Sequence, residues 1–282
     1  MAKKILVSAA ELEALLGADR CIPVDCRFEF SNADKGRADW RAGHIPGAAY
    51  AHLDEDLSSP ITEQSGRHPL PEPTRFAAYL ASIGWSPAKL LVAYDEGSNA
   101  VASRLWWLMR YFGQPSALLD GGLAAWVASG RPLEQGETTR PATPAVELQP
   151  DASIKIDTAT ILKKLGTGEP LVLDARASER FRGEVEPLDT RAGHIPASIN
   201  RPFGSNLQMN GRFKSREVLR EEFLELLAGR DPRTLAHSCG SGVTACHNQF
   251  AMELAGLEGS RLYPGSWSEW IRDPARPIET DG

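Results

Sequence analysis

The feature that most constrains this chain is a long internal repeat. Arg191-Ala192-Gly193-His194-Ile195-Pro196 repeats Arg41-Ala42-Gly43-His44-Ile45-Pro46 at an offset of 150 (194 minus 44). Gly265-Ser266-Trp267-Ser268-Glu269-Trp270 echoes Gly121 to Trp126 at an offset of 144 (265 minus 121). Such a period is longer than any solenoid unit, so it reports duplication of a whole domain. The 282 residues suit two domains of roughly 100–150 residues each. Residues 136–152 include Glu137-Thr138-Thr139-Arg140-Pro141-Ala142-Thr143-Pro144, which has no apolar period and reads as a linker. The expected division is therefore residues 1–135, a linker over 136–152, and residues 153–282.

Each copy alternates strand-like and helix-like runs. In the first, Ser8-Ala9-Ala10-Glu11 opens a helix with a capping-box pattern, and Gly17 closes it. A buried strand from Cys21 ends in Asp25-Cys26-Arg27, and a polar loop runs from Ser31 to Gly43. Then come a helix over 73–83, a strand over 89–94, a helix over 99–112, a short strand over 117–119 and a helix over 123–127. The second copy begins with a helix capped by Asp157 or Thr158. Leu171 to Arg176 repeats the first strand and its Asp-x-Arg end, followed by a helix over 215–227, a strand over 233–238 and a helix over 242–255. This alternation predicts an α/β class, two tandem domains, each a mostly parallel sheet with helices on both faces.

The net charge of −6 argues against nucleic acid as the main partner, since phosphate binding needs a basic face. The basic start, Met1 to Lys4, leads into an apolar run that stops at Ser8. That is too short for a signal-peptide core, and no window reaches the length of a membrane span. The four cysteines (Cys21, Cys26, Cys239 and Cys246) make no disulfide framework in a chain this long, so a reduced, cytoplasmic setting is expected.

Chemistry concentrates in His237-Ser238-Cys239-Gly240-Ser241-Gly242-Val243-Thr244-Ala245. A strand feeds a cysteine, a glycine- and hydroxyl-rich loop follows, and a helix begins. Free N–H groups at a helix start favour an anion there, so the Cys239 thiolate becomes a nucleophile. The glycines supply positive φ for a loop that wraps its N–H groups round one atom. The competing reading is a buried cysteine acting as a small hydrophobe. The repeat supplies a control. At the 144 offset Cys239 aligns with Asp95, so copy one should keep the fold without the nucleophile, and both loops should favour an anion.

The Cys239 to Thr244 loop resembles the active-site loop of the rhodanese superfamily, in the form carried by its 3-mercaptopyruvate sulfurtransferases. Gly43 to Ala48, Gly193 to Ala197, Leu119 to Leu123 and Gly265 to Trp270 are similar to that family too, in its order and across nearly the whole chain. The resemblance implies two rhodanese-like domains facing each other, the active site between them. It implies sulfur transfer from a small anionic donor, 3-mercaptopyruvate or thiosulfate, to a thiol, dithiol or cyanide acceptor through a persulfide on Cys239. No metal and no organic cofactor is expected, and no nucleic acid or membrane partner. The loop residues Gly240, Gly242, Val243 and Thr244 would line the donor site, with Ser241 donating a hydrogen bond. The resemblance also points to His44 relaying a proton with Ser241, and Asp34 is the candidate acidic partner. A serine in such a loop equally serves local backbone bonding. His44 and its twin His194 share one Gly-His-Ile-Pro context, which also reads as architecture.

A carboxylate donor calls for an arginine fork. Arg180 matches the first of two arginines that the mercaptopyruvate-type relatives place before the second Gly-His-Ile-Pro. The second belongs in a Glu-Pro-Arg context, whereas this chain reads Glu186-Pro187-Leu188. Arg191 or Arg182 is the nearby substitute, or the pocket suits thiosulfate. A cysteine phosphatase would need an arginine at the end of the loop, where Ala245 stands. A zinc site would need closer spacing than Cys239 to Cys246. A non-catalytic binding module on the same fold remains the rival from another class.

Overall fold

The buried apolar runs become parallel strands, and the polar or half-apolar runs between them become helices. In the computed structural model, which describes residues 4–281, the chain forms two units. Of the basic start Met1 to Lys4, residues 1–3 lie outside the described residues. One unit comprises Met1–Ser59, Leu70–Asp151 and Met209–Phe213, the other Pro60–Pro69, Ala152–Gln208 and Lys214–Gly282. The division is thus not one cut. A ten-residue stretch from the first copy, 60–69, belongs to the second unit.

The first unit contains β1 (Leu6–Val7), α1 (Ala9–Gly17), β2 (Cys21–Asp25), α2 (Lys35–Ala42), β3 (Ala49–Tyr50), α3 (Pro73–Ser82), β4 (Leu90–Tyr94), α4 (Ala102–Tyr111), β5 (Ser116–Leu119) and α5 (Gly122–Ala128). Its strands are all parallel, in the order β1-β5-β4-β2-β3. The capping box at Ser8 is present in both directions. The second unit contains α6 (Thr158–Lys163), β6 (Leu171–Asp174), α7 (Ser178–Phe181), β7 (Ile199–Asn200), α8 (Arg216–Leu227), β8 (Leu235–Ser238), α9 (Ala245–Leu254), β9 (Arg261–Leu262) and α10 (Ser266–Trp270). Its strands are also parallel, in the order β7-β6-β8-β9. Asp157 caps α6 through its side chain, and Ser215 caps α8.

The two-residue strands β1, β3, β7 and β9 and the single-turn α7 are too short to give a periodic signal and are absent from the sequence reading, and a longer element departs from it as well. The polar loop expected over 31–43 contains α2. Its buried residues are Gly36 and Trp40, so it has no apolar stripe for a period to reveal. Gly36 cannot be replaced without contact, since a Cβ there would lie 1.9 Å from the Arg27 carbonyl oxygen.

The copies share their supports atom for atom. Trp126 donates its indole N–H to Pro132 O at 2.8 Å, and Trp270 donates to Pro277 O at 2.8 Å. Arg27 forks onto Asp25 and donates to Gly43 O; Arg176 forks onto Asp174 and donates to Gly193 O. The Asp-x-Arg end is therefore a strut that ties a central strand to the Gly-His-Ile-Pro turn. Each unit has its own core, around Leu12, Val92, Leu119 and Trp126 in one and Ile161, Val172, Tyr263 and Trp270 in the other. In both sheets the chain steps to one side of a central strand and then returns on the other, at β2/β4 and at β6/β8. Ligands of open parallel sheets bind outside the carboxyl ends of strands at such a reversal. In the second unit, Arg176 and Cys239 follow those two strand ends.

Candidate active site

Cys239 follows β8 directly, and α9 begins six residues later. The side chain is buried, and the Gly242 N–H donates to Sγ at 3.1 Å. The loop is clamped from α10. Cys239 N–H donates to Ser266 Oγ, Trp267 N–H to Cys239 O, and Ser268 N–H to Gly240 O, all at 2.9–3.0 Å. With the Cys239 and Gly240 carbonyls turned toward α10, the loop presents the Gly242 N–H to the sulfur. Arg176 adds positive charge. Burial disfavours its guanidinium, yet Asp174, Glu186 and the Cys239 thiolate together push it up.

The two glycines differ in purpose. Gly242 has φ +76°, and a Cβ there would lie 2.2 Å from Pro264 O, so both conformation and clearance demand glycine. Gly240 is not in the left-handed region. It is small because a Cβ would lie 2.9 Å from Nη2 of Arg67 and 3.6–3.7 Å from the Arg180 guanidinium nitrogens. The expectation that both glycines serve positive φ holds for Gly242 alone. Val243 is buried, and Thr244 is the N-cap residue of α9 without a side-chain capping bond.

Ser241 is buried and its Oγ lies 2.7 Å from Nδ1 of His68. His68, also buried, sits in the 60–69 stretch of the same unit. The histidine that holds Ser241 is thus not the expected one. His44 is fully buried in the first unit, with Nδ1 2.8 Å from Trp40 O and Nε2 2.9 Å from Thr138 Oγ1. His194 repeats this, with Nδ1 2.8 Å from Phe181 O and its ring stacked on Phe181 as His44 stacks on Trp40. The backbones of the twins also pair alike, His44 with Glu134 and His194 with Glu279. Their shared context is architecture. Asp34 is exposed at the start of α2 and is not a partner of His44.

Arg180 stands at the loop as expected. It donates from Nε and Nη2 to Glu186, and Nη2 also lies 3.4 Å from Asp189 Oδ2. Arg182 is half-buried and pairs with Glu184. The carbonyl of Arg191 accepts the Trp267 indole N–H, and its Nη1 is buried without a hydrogen-bond partner. The second guanidinium against Gly240 belongs instead to Arg67, which pairs with Asp189. Leu188 is half exposed.

Sequence reasoning passed over Arg67-His68. A signal was present: the stretch is polar, has no apolar period, and has no counterpart at the repeat offset, where Arg212 stands opposite His68. Residues that duplication leaves without a twin are where one copy can differ in chemistry.

Among the described residues no cluster of three or more His, Cys, Asp or Glu could hold a metal ion, and no helix is long and apolar enough to cross a membrane. Cys21 and Cys26 are packing cysteines. Burial pushes the Cys21 thiol up to about 11 and that of Cys26 well above its usual value.

A buried sulfur at a strand end, with the Gly242 N–H on it and a Ser–His pair and two guanidiniums beside it, is an arrangement suited to covalent catalysis by a thiolate on an anionic substrate. The rhodanese-like domain model matches residues 8–129 and again 157–273. A Pseudomonas aeruginosa protein named a probable 3-mercaptopyruvate sulfurtransferase is 47% identical, covering 99% of each chain. The thiosulfate sulfurtransferase of Gallus gallus is 33% identical, covering 83% of this chain and 81% of its own. Among solved structures, SseA from Escherichia coli, titled a 3-mercaptopyruvate sulfotransferase, is 30% identical with a TM-score of 0.81, covering 94% of this chain and all of that one. The chain belongs to the rhodanese-like domain family, in two copies.

Proposed function

We propose that the protein is a sulfurtransferase that moves sulfur from 3-mercaptopyruvate to a thiol through a persulfide on Cys239. The Cys239 thiolate attacks the donor sulfur. An Sγ–S bond forms, the donor's C–S bond breaks, and its electron pair remains on carbon as the enolate of pyruvate. Ser241 supplies a proton to that enolate and is resupplied through His68, so pyruvate leaves. An acceptor thiolate then attacks the outer sulfur, the S–S electron pair returns to Sγ, and the thiolate is regenerated. These two half-reactions are ping-pong chemistry. The Gly242 N–H that faces Sγ also suits the charge on the outer sulfur. No step calls for a metal or organic cofactor. A thiol or dithiol in a reducing cytoplasm is the acceptor, with cyanide as a laboratory surrogate, and the four free cysteines suit that setting.

The observation that carries this reading is the Gly242 N–H on Sγ beside the Ser241–His68 pair. A phosphatase reading fails on charge, because the loop ends in buried Ala245 and not an arginine. The test compares kcat/KM for 3-mercaptopyruvate and thiosulfate in the wild type and in Cys239→Ser, with intact mass after donor treatment. The expected result is a preference for mercaptopyruvate, a mass gain of one sulfur, and loss of both in the serine variant. A thiosulfate preference overturns the donor assignment, and turnover by Cys239→Ser overturns the mechanism.

A further inference from the structure

The departure at Leu188 leaves a mercaptopyruvate site of this type one guanidinium short, and the structure holds a guanidinium in the right place from a different part of the chain. We propose that Arg67 is the second cationic arm of the donor site, receiving the donor carboxylate together with Arg180. The proposal rests on the sulfurtransferase reading above and deepens it.

The geometry is a two-layer device. Beneath lie two acids, Glu186 and Asp189, each with a side chain only 4% exposed. Glu186 Oε1 accepts Leu188 N–H, Asp189 N–H and Arg180 Nη2, so the Glu-Pro-Leu-Asp turn closes round its own carboxylate. Asp189 in turn takes Nη1 of Arg67 and approaches Nη2 of Arg180. The acids therefore hold one edge of each fork. The opposite edges stay unengaged: among the described residues Nη2 of Arg67 and Nη1 of Arg180 make no hydrogen bond, and both lie against Gly240. The arginine side chains are 24% and 17% exposed, so these edges can be reached from outside.

The Arg67 backbone is fixed as well, since its N–H donates to Ser268 Oγ at 3.0 Å, and Ser268 N–H holds Gly240 O. The same serine thus sets the spacing between Arg67 and the loop. Two convergent N–H edges over the residue next to the nucleophile form a receptor for a planar anion. In 3-mercaptopyruvate the carboxylate is separated from the attacked sulfur by two carbons, so it falls beside the loop when the sulfur meets Sγ. Leu188 is compatible with this arrangement because the turn that carries it now serves to hold Asp189 under Arg67.

The test uses full-length protein and two independent ratios. The first is the preference for 3-mercaptopyruvate over its methyl ester, in kcat/KM. The second is the rate of Cys239 alkylation by iodoacetate relative to neutral iodoacetamide, which asks whether the loop attracts a carboxylate whatever the natural donor is. For Arg67→Gln, losing one charge-assisted hydrogen bond should cut the acid-over-ester preference by about 10- to 100-fold, mainly through KM, and lower the iodoacetate ratio in parallel. Arg67→Lys, which keeps the charge without the fork, should recover part of both ratios and also serves if the glutamine variant folds poorly. Equal losses on acid and ester, or an unchanged iodoacetate ratio, would overturn the role of Arg67. If wild type prefers thiosulfate but the iodoacetate ratio still falls in Arg67→Gln, the donor assignment fails and the anion arm stands.

Discussion

Gly242→Ala isolates the loop from everything else in the molecule. The substitution adds one methyl group at φ +76°, where an L-residue costs about 1–2 kcal/mol. The same methyl would sit 2.2 Å from Pro264 O. Ordinary contact begins about an ångström further out, so either Pro264 or the loop has to move by about that much. Pro264 is poorly placed to yield, because it lies between β9 and Ser266, whose hydroxyl is bound to both Cys239 N and Tyr263 O. The loop moves instead, and the 3.1 Å Gly242 N–H bond to Sγ is lost. A hydrogen bond to a charged group contributes about 1.5–3 kcal/mol, which corresponds to roughly 10- to 150-fold in a rate that depends on the thiolate. The assay is the pH–rate profile for alkylation of Cys239 by iodoacetamide, beside urea unfolding. The expected outcome is alkylation at neutral pH slowed by at least about tenfold and stability lowered by about 2–4 kcal/mol. Wild-type alkylation together with wild-type stability would refute the claim that this glycine shapes the thiolate site.

His44→Asn should lower stability by about 1–3 kcal/mol, because it disturbs the bonds to Trp40 O and Thr138 Oγ1, and should leave kcat/KM of the folded enzyme within about threefold. Loss of activity without loss of stability would restore His44 to the proton relay. His237, at the centre of the second sheet, is pushed down to about 3 by burial. Its unfolded form takes up a proton below about 6.5 while the folded form stays neutral, so its contribution is complete above that pH and is lost as pH falls toward 3. Urea titrations at pH 7 and at roughly pH 4.5 should differ by about 2–3 kcal/mol more in wild type than in His237→Leu; equal differences would show that the ring is not held neutral.

The alternation of strands and helices, their boundaries to within a few residues, and the nucleophile's strand-end position were legible because each rests on a local pattern. α2 was not, since a helix that buries little beyond Trp40 carries no periodic signal. The histidine was misassigned for a different reason. His44 stands in a motif conspicuous by repetition, and repetition marks what both copies need, which is a turn and its supports. His68 stands in a stretch with no twin and no pattern, and it reaches Ser241 across 173 positions of sequence. Arg67 escaped for the same reason. A guanidinium sought near Leu188 in sequence was found near it only in space, through Asp189.

The first copy explains why the fold alone does not make the enzyme. There Asp95 occupies the place of Cys239, and its carboxylate accepts the N–H groups of Gly97, Asn99, Val101 and Ala102. Burial pushes that carboxyl up, against the pull of those four donors. The anion cradle is thus a property of the duplicated architecture: a strand end, a tight loop and a helix start will gather N–H groups round whatever anion stands there. In copy one the group in the cradle is a carboxyl tethered by four backbone donors. The loop is also longer, since α4 begins seven residues after Asp95, and Glu96 and Gly97 stand at the positions of Gly240 and Ser241. In copy two a sulfur stands where copy one holds the tethered carboxylate. Copy two also has the shorter loop, the hydroxyl of Ser241 and a segment, 60–69, that brings a histidine and an arginine with no counterparts at the repeat offset. On the proposed mechanism the thiol supplies the nucleophile, and the 60–69 segment supplies the partner of Ser241 and one arm for an anionic donor.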